Sequence, residues 1–161
     1  MVKDAPGASI GLRQHLFRAQ HRTKEPDPCE LRSHMSSARL TNLTVVVVED
    51  HDDARRYLSV FLDRLGANVV AVRNGFEGLE AVKNNQPNVV LSDIAMPEMD
   101  GFELLREIRA LGAAPAARVP VVAMSAFFTD ADCEAAGFTA CLPKPFSPER
   151  LVETILTVLN N

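Results

Sequence analysis

The sequence predicts an α/β domain: a doubly wound, five-stranded parallel sheet with helices on both faces. Three observations carry that prediction. Five short apolar runs alternate with five segments of helical period, the order from which crossover units are built. The first run, Val45-Val46-Val47-Val48, is continuously β-branched, as a strand buried on both faces requires. Carboxylates follow the first and third runs (Glu49-Asp50 and Asp93), at the edge where such sheets open onto a ligand crevice.

Composition bounds the rest. A chain of 161 residues suits one domain with an appendage. Its 47% hydrophobic and 24% charged residues match a soluble globular protein. No apolar run approaches the roughly 20 residues of a membrane helix, and residues 1–7 lack the apolar core of a secretory signal. A cytoplasmic protein without a membrane partner is therefore expected. Cys29, Cys133 and Cys141 form no C-x-x-C and match no histidine spacing, which argues against a cysteine metal cluster and for reduced thiols. The net charge of −4 is unevenly spread: residues 1–40 carry 7 Lys+Arg against 4 Asp+Glu, the remainder 10 against 17. An acidic domain is a poor ligand for nucleic acid, and none is expected as a partner.

Residues 1–40 show no sustained period and hold the turn residues Pro6-Gly7 and Pro26-Asp27-Pro28. They read as a flexible N-terminal tail without an assigned role, with the folded domain at 41–161. The first strand, 45–48, stops at Glu49-Asp50. In residues 52–65 Ala54, Leu58, Phe61, Leu62 and Leu65 recur at helical spacing; Asp52 and Asp53 suit the helix N-terminus, and Gly66 its end. A second strand follows at 68–72. After the Asn74-Gly75 turn comes a helix over 76–84, weakened by Gly78 by about 1 kcal/mol relative to Ala. Pro87 ends it, and 89–92 form the third strand. Phe102, Leu105, Ile108 and Leu111 mark the third helix, and residues 113–118 a loop. The fourth strand is 119–124, followed by Ser125. A short helix at 130–136 stops at Gly137, a fifth strand spans 139–142, and Pro143-Lys144-Pro145-Phe146 makes a rigid turn. Ser147 caps the last helix, with Pro148 in its first turn and Leu151, Ile155 and Val158 along its buried face.

This order brings three acids, a hydroxyl and an ammonium to one sheet edge: Glu49, Asp50, Asp93, Ser125 and Lys144. Three neighbouring carboxylates repel unless cations compensate. Lys144 and a divalent ion are the natural compensation, and Mg²⁺ (or Mn²⁺) prefers carboxylates, carbonyls and water while leaving room for phosphate oxygens. Asp93 then reads as a nucleophile toward phosphorus, forming an acyl phosphate. Glu49, Asp50, Asp93 and the Ala95 backbone carbonyl are the candidate metal ligands, and Lys144 and Ser125 the groups that contact phosphoryl oxygens.

At these residues the chain resembles the receiver domain of two-component response regulators, the CheY-like group. The matching motifs are residues 45–50, Ser92-Asp93-Ile94-Ala95-Met96-Pro97-Glu98-Met99-Asp100-Gly101, Met124-Ser125-Ala126 and Lys144-Pro145-Phe146. The resemblance covers residues 43–160. It implies the flavodoxin-like strand order 2-1-3-4-5, a cis Lys144–Pro145 peptide, and phosphorylation of Asp93 by a histidine kinase or histidine phosphotransfer protein. It also implies signalling to a downstream protein through the face of the fourth helix, fifth strand and fifth helix. No turnover of an external substrate is expected. Two other classes compete: a pseudo-receiver that acts as an interaction scaffold without phosphorylation, and a magnesium-dependent phosphohydrolase with an aspartyl nucleophile. The intact residue set argues against the first, and the arrangement of acids after the first strand against the second. Both a stand-alone relay and a part of a larger hybrid kinase fit the sequence.

The sequence departs from the family pattern in three places. Cys141 stands where an aromatic residue often sits, three positions before the lysine, and reads as a small buried filler, with a redox role as the lesser alternative. The segment 125–137 is about three residues short, most of a helical turn. Ala95 and Phe127, each two positions beyond a site residue, offer no group to orient water, so a long-lived acyl phosphate is expected.

Overall fold

The computed structural model describes residues 40–160. The elements are β1 (Thr44–Val48), α1 (Asp52–Arg64), β2 (Asn68–Val72), α2 (Gly75–Asn85), β3 (Val89–Asp93), α3 (Gly101–Ala110), β4 (Val121–Ser125), α4 (Asp130–Ala136), β5 (Ala140–Pro143) and α5 (Pro148–Leu159). One sheet in the order β2-β1-β3-β4-β5 joins all five strands in parallel, as the resemblance implies. The register pairs Val48 with Ser92 and Asp93 with Met124, which aligns the carboxyl ends of the three central strands at one edge.

Side chains alternate across a strand, so the all-valine β1 feeds two apolar layers. Val46 and Val48 join Val90, Leu104, Ile108 and Val121 on one face; Val45 and Val47 join Leu58, Leu62, Leu91 and Ile155 on the other. A run without polar residues is what two covered faces demand.

Local chemistry sets the helix ends. The Asn74 side chain accepts from the Glu77 amide at 2.8 Å at the start of α2. Asp100 with Glu103, and Thr129 with Asp132, form capping boxes on α3 and α4. Ser147 caps α5, and Gly137 closes α4 at φ +94°, where a side chain would be strained. Gly78 has a packing reason: a Cβ there would lie 2.9 Å from Val48 Cγ2 and 3.2 Å from Leu104 Cδ2. Its helix cost is offset by the close approach of α2 to β1.

Several expectations shift. β4 starts at Val121 instead of 119, because Pro120 has no amide for the ladder; its carbonyl accepts from Val90 at 2.9 Å. β5 starts at Ala140, since the Thr139 hydroxyl takes the Val121 amide. The loop at 113–118 contains a 3-10 turn, Pro115–Arg118. Leu40, read as part of the tail, is fully buried and its amide donates to the Leu65 carbonyl at 2.9 Å, so it belongs to the domain. The remaining tail residues lie outside the described residues. The structure brings Cys133 on α4 and Cys141 on β5 together, with Cα atoms 5.9 Å apart, a spacing that a disulfide can span. Among the described residues no helix is long and apolar enough to cross a membrane.

Candidate functional site

The site lies at the carboxyl edge of the sheet, and its most constrained member is Glu49. Following β1, its side chain is 1% exposed. A buried carboxylate needs a partner, and Lys144 supplies one: its Nζ lies 2.8 Å from Glu49 Oε2 and 3.0 Å from Asp93 Oδ2. Burial works against the Lys144 ammonium. The hydrogen bonds to Glu49 and Asp93, with their negative charges, outweigh burial and hold its pKa above the ordinary lysine value. Lys144 is anchored from its own backbone too, since its amide donates to the Ser125 carbonyl at 2.6 Å and the following Lys144–Pro145 peptide is cis.

Asp93 closes β3 and is 8% exposed. The Ile94 amide donates to Asp93 Oδ1 at 2.7 Å, which orients the carboxylate with Oδ2 toward Lys144. The turn after it is compact. Gly101 donates to the Ile94 carbonyl at 3.0 Å, and a Cβ at Gly101 would come within 2.6 Å of the Asp93 carbonyl oxygen. Only glycine lets α3 begin this close to the strand end. Ala95 is exposed in that turn, and Glu98 takes the left-handed conformation at φ +68°.

Ser125 ends β4 and is buried; its Oγ accepts from the Phe127 and Phe128 amides, each at 3.1 Å. Phe127 is 86% exposed and does not cover the site. Phe128 packs edge-on against Phe102, with ring centroids 5.0 Å apart.

Two residues enter that the sequence reading did not single out. The Arg55 guanidinium reaches back from α1 and donates to the Glu49 and Asp50 carbonyls at 2.9 and 3.3 Å, fixing the loop that presents both acids. Its i+5 and i+6 offsets from those residues, across a strand-to-helix turn, were the available signal. His51 Nδ1 lies 3.1 Å from Asp50 Oδ1, and ligand atoms of Glu49, Asp50 and His51 all fall within 4.8 Å of one another. That cluster resembles a metal site. The Lys144 pair brings Asp93 to its edge.

The donor set fits a hard divalent cation. Glu49, Asp50 and Asp93 offer three carboxylates against the single Lys144 ammonium, an excess of negative charge that suits such an ion.

Known proteins agree with this geometry. Residues 45–156 match the family model described as the response regulator receiver domain. An uncharacterised 14.6 kDa protein of Leptolyngbya boryana is 35% identical over 119 residues, spanning 72% of this chain and 89% of that protein. The sensory/regulatory protein RpfC of Xanthomonas campestris pv. campestris is 31% identical over 73% of this chain, but the match spans only 17% of RpfC. The chain superposes on chemotaxis response regulator CheY4 of Vibrio cholerae with a TM-score of 0.66 at 29% identity, covering 73% and 99% of the two chains. It superposes equally, at 27% identity and over 74% and 98%, on the receiver domain of sensor histidine kinase PA1611 from Pseudomonas aeruginosa, a structure with magnesium coordinated in its active-site cleft. With fold, strand order and family match in accord, this chain belongs to the response regulator receiver domains, the phosphoacceptor modules of two-component signalling, which take phosphate onto their own aspartate instead of turning over an external substrate.

Proposed function

We propose that Asp93 is the phosphoacceptor and that a histidine kinase or histidine phosphotransfer protein is the donor. The observation that carries this reading is the Lys144 ammonium held between buried Glu49 and Asp93. The Asp93 carboxylate attacks the phosphorus of a phosphohistidine; the P–N bond breaks and its electron pair returns to the imidazole, which takes up a proton. Lys144 then neutralises charge on one phosphoryl oxygen, and the Ser125 hydroxyl donates to another. Ser125 ends β4 and Lys144 directly follows β5, which puts both groups at the sheet edge where Asp93 ends β3. Glu49, Asp50, Asp93 and the Ala95 carbonyl would hold Mg²⁺ or Mn²⁺, which supplies charge neutralisation for the incoming phosphoryl group.

Kinase-type donors are supported by the relatives, since RpfC and the Escherichia coli sensor histidine kinase RcsC carry matching segments. A downstream protein is assigned to the face formed by α4, β5 and α5. The phosphohydrolase alternative is weakened by Asp52. It completes an Asp-x-Asp spacing with Asp50, yet its side chain is 88% exposed and pairs with Arg55.

Incubation with acetyl phosphate and Mg²⁺, followed by intact-mass measurement, tests the reading. The wild type gains one phosphate and Asp93→Asn does not. No gain from acetyl phosphate or from a histidine kinase would instead support the phosphorylation-independent scaffold.

A further inference from the structure

Cys133 and Cys141 lie outside the acidic pocket and have no part in phosphoryl transfer. One sits in a seven-residue helix, the other in the edge strand beside it, and both are buried. Their Cα atoms are 5.9 Å apart, a spacing that a disulfide can span. They are also the only covalent tie available between α4 and the sheet among the described residues.

We propose that Cys133 and Cys141 form a reversible redox site whose disulfide clamps α4 to β5 and whose dithiol form releases it. Three features point to this. First, Cys141 is reachable. It lines a groove of about 450 Å³ between α4 and α5, together with Phe138, Thr139 and Thr154. Second, α4 has only two turns and is held at its start by the exposed Thr129–Asp132 cap, so it opens at low cost and uncovers Cys133. Third, each redox form has its own bonding. In the disulfide Cys141 has no proton to donate. Cys141 Sγ lies 3.8 Å from the Phe128 carbonyl oxygen, an acceptor that only a thiol S–H can use, and the Phe128 amide in turn donates to Ser125 Oγ at 3.1 Å. Oxidation therefore exchanges a weak contact with the β4–α4 loop for a covalent bond to α4.

The chemistry balances with a low-molecular-weight disulfide such as oxidised glutathione. The Cys141 thiolate attacks one glutathione sulfur, and the other glutathione leaves as a thiolate. The Cys133 thiolate then attacks the mixed disulfide at Cys141 and expels the second glutathione. Two electrons pass from the cysteine pair to the oxidant, and the two protons end on two glutathione thiols.

The full chain, carrying Cys29→Ser so that only this pair remains, is equilibrated in glutathione buffers from reducing to oxidising. It is then trapped by alkylation, digested and mapped by mass spectrometry. The expected result is a peptide pair joined through Cys133 and Cys141 that appears and disappears reversibly. Amide exchange over residues 127–138 should slow by at least about tenfold in the oxidised form, as a removed local opening demands. In Cys133→Ala and Cys141→Ala chains, the exchange difference between buffers should vanish. Alkylation of both cysteines after oxidising equilibration would overturn the proposal. So would a disulfide that leaves amide exchange over 127–138 unchanged. Both readouts are taken without phosphodonor and so stand apart from the assignment of Asp93.

Discussion

Lys144 Nζ bridges Glu49 and Asp93 at 2.8 and 3.0 Å, joining residues 95 and 51 positions away in sequence at one sheet edge. The bridge makes the pocket's charge balance depend on a single cation. Lys144→Met leaves Glu49 buried and unpaired beside Asp50 and Asp93. The expected destabilisation is about 1–2 kcal/mol, below the roughly 3–5 of a fully buried pair because the lysine is partly exposed. Excess Mg²⁺ should restore more melting temperature to this variant than it adds to the wild type, since a second cation then carries the compensation. Thermal melts with and without Mg²⁺ measure both effects; equal Mg²⁺ shifts in the two proteins would contradict the metal assignment.

The tight approach of α3 to β3 predicts a strong effect at Gly101. Its added Cβ would meet the Asp93 carbonyl oxygen at 2.6 Å and Ile94 Cα at 2.9 Å, both backbone atoms that cannot rotate away. Gly101→Ala should lose at least about 2 kcal/mol through forced backbone shifts and slow phosphorylation of Asp93 by displacing it. Gly78→Ala meets side chains instead, and its helix propensity gain of about 1 kcal/mol partly cancels the clash with Val48. Chemical denaturation of the two variants should therefore rank Gly101→Ala as the more damaging.

Acid should loosen α4 first at its cap. Hydrogen bonds from the Thr129 amide and hydroxyl hold the Asp132 carboxyl below its ordinary pKa. A depressed folded-state pKa contributes stability above the unfolded value, about 4, and that contribution is lost as pH falls through the folded value. The wild type should be more stable than Asp132→Asn near neutral pH, and the gap should close in acid. A gap independent of pH would show that the cap does not depend on the carboxylate charge.

The acyl phosphate should persist for many minutes. Ala95, exposed two residues after Asp93, has no group to orient water, and the Phe127 ring points into solvent, so the lack of a polar group and not steric cover is the reason. Ala95→Asn adds an amide there. One hydrogen bond to the attacking water, worth about 1 kcal/mol, should speed phosphate loss roughly fivefold. Following the intact mass of each phosphorylated protein over time checks both lifetimes, and decay of the wild type within seconds would contradict the argument.

Much of the fold was legible in the chain itself. Continuous valines in β1, the cap at Ser147, and glycines after α1 and α4 each act through near neighbours, so local sequence determined strands, helices and their order. The strand-end acids and Lys144 were legible for the same reason: sheet topology fixes which edge a strand end occupies. Contacts between distant segments were left to tertiary structure. The start of β4 depended on which amide Val90 presents to Pro120, the need for glycine at 78 on how closely α2 meets Val48, and the support of Glu49 and Asp50 on a turn that aims Arg55 backward. The meeting of Cys133 with Cys141 likewise depended on how α4 packs against β5. Sequence by itself determined the elements and the chemistry at their ends, because those follow from local propensity and period. Only the packed structure decided which side chains share a partner, because that depends on distances across the sheet that no spacing records.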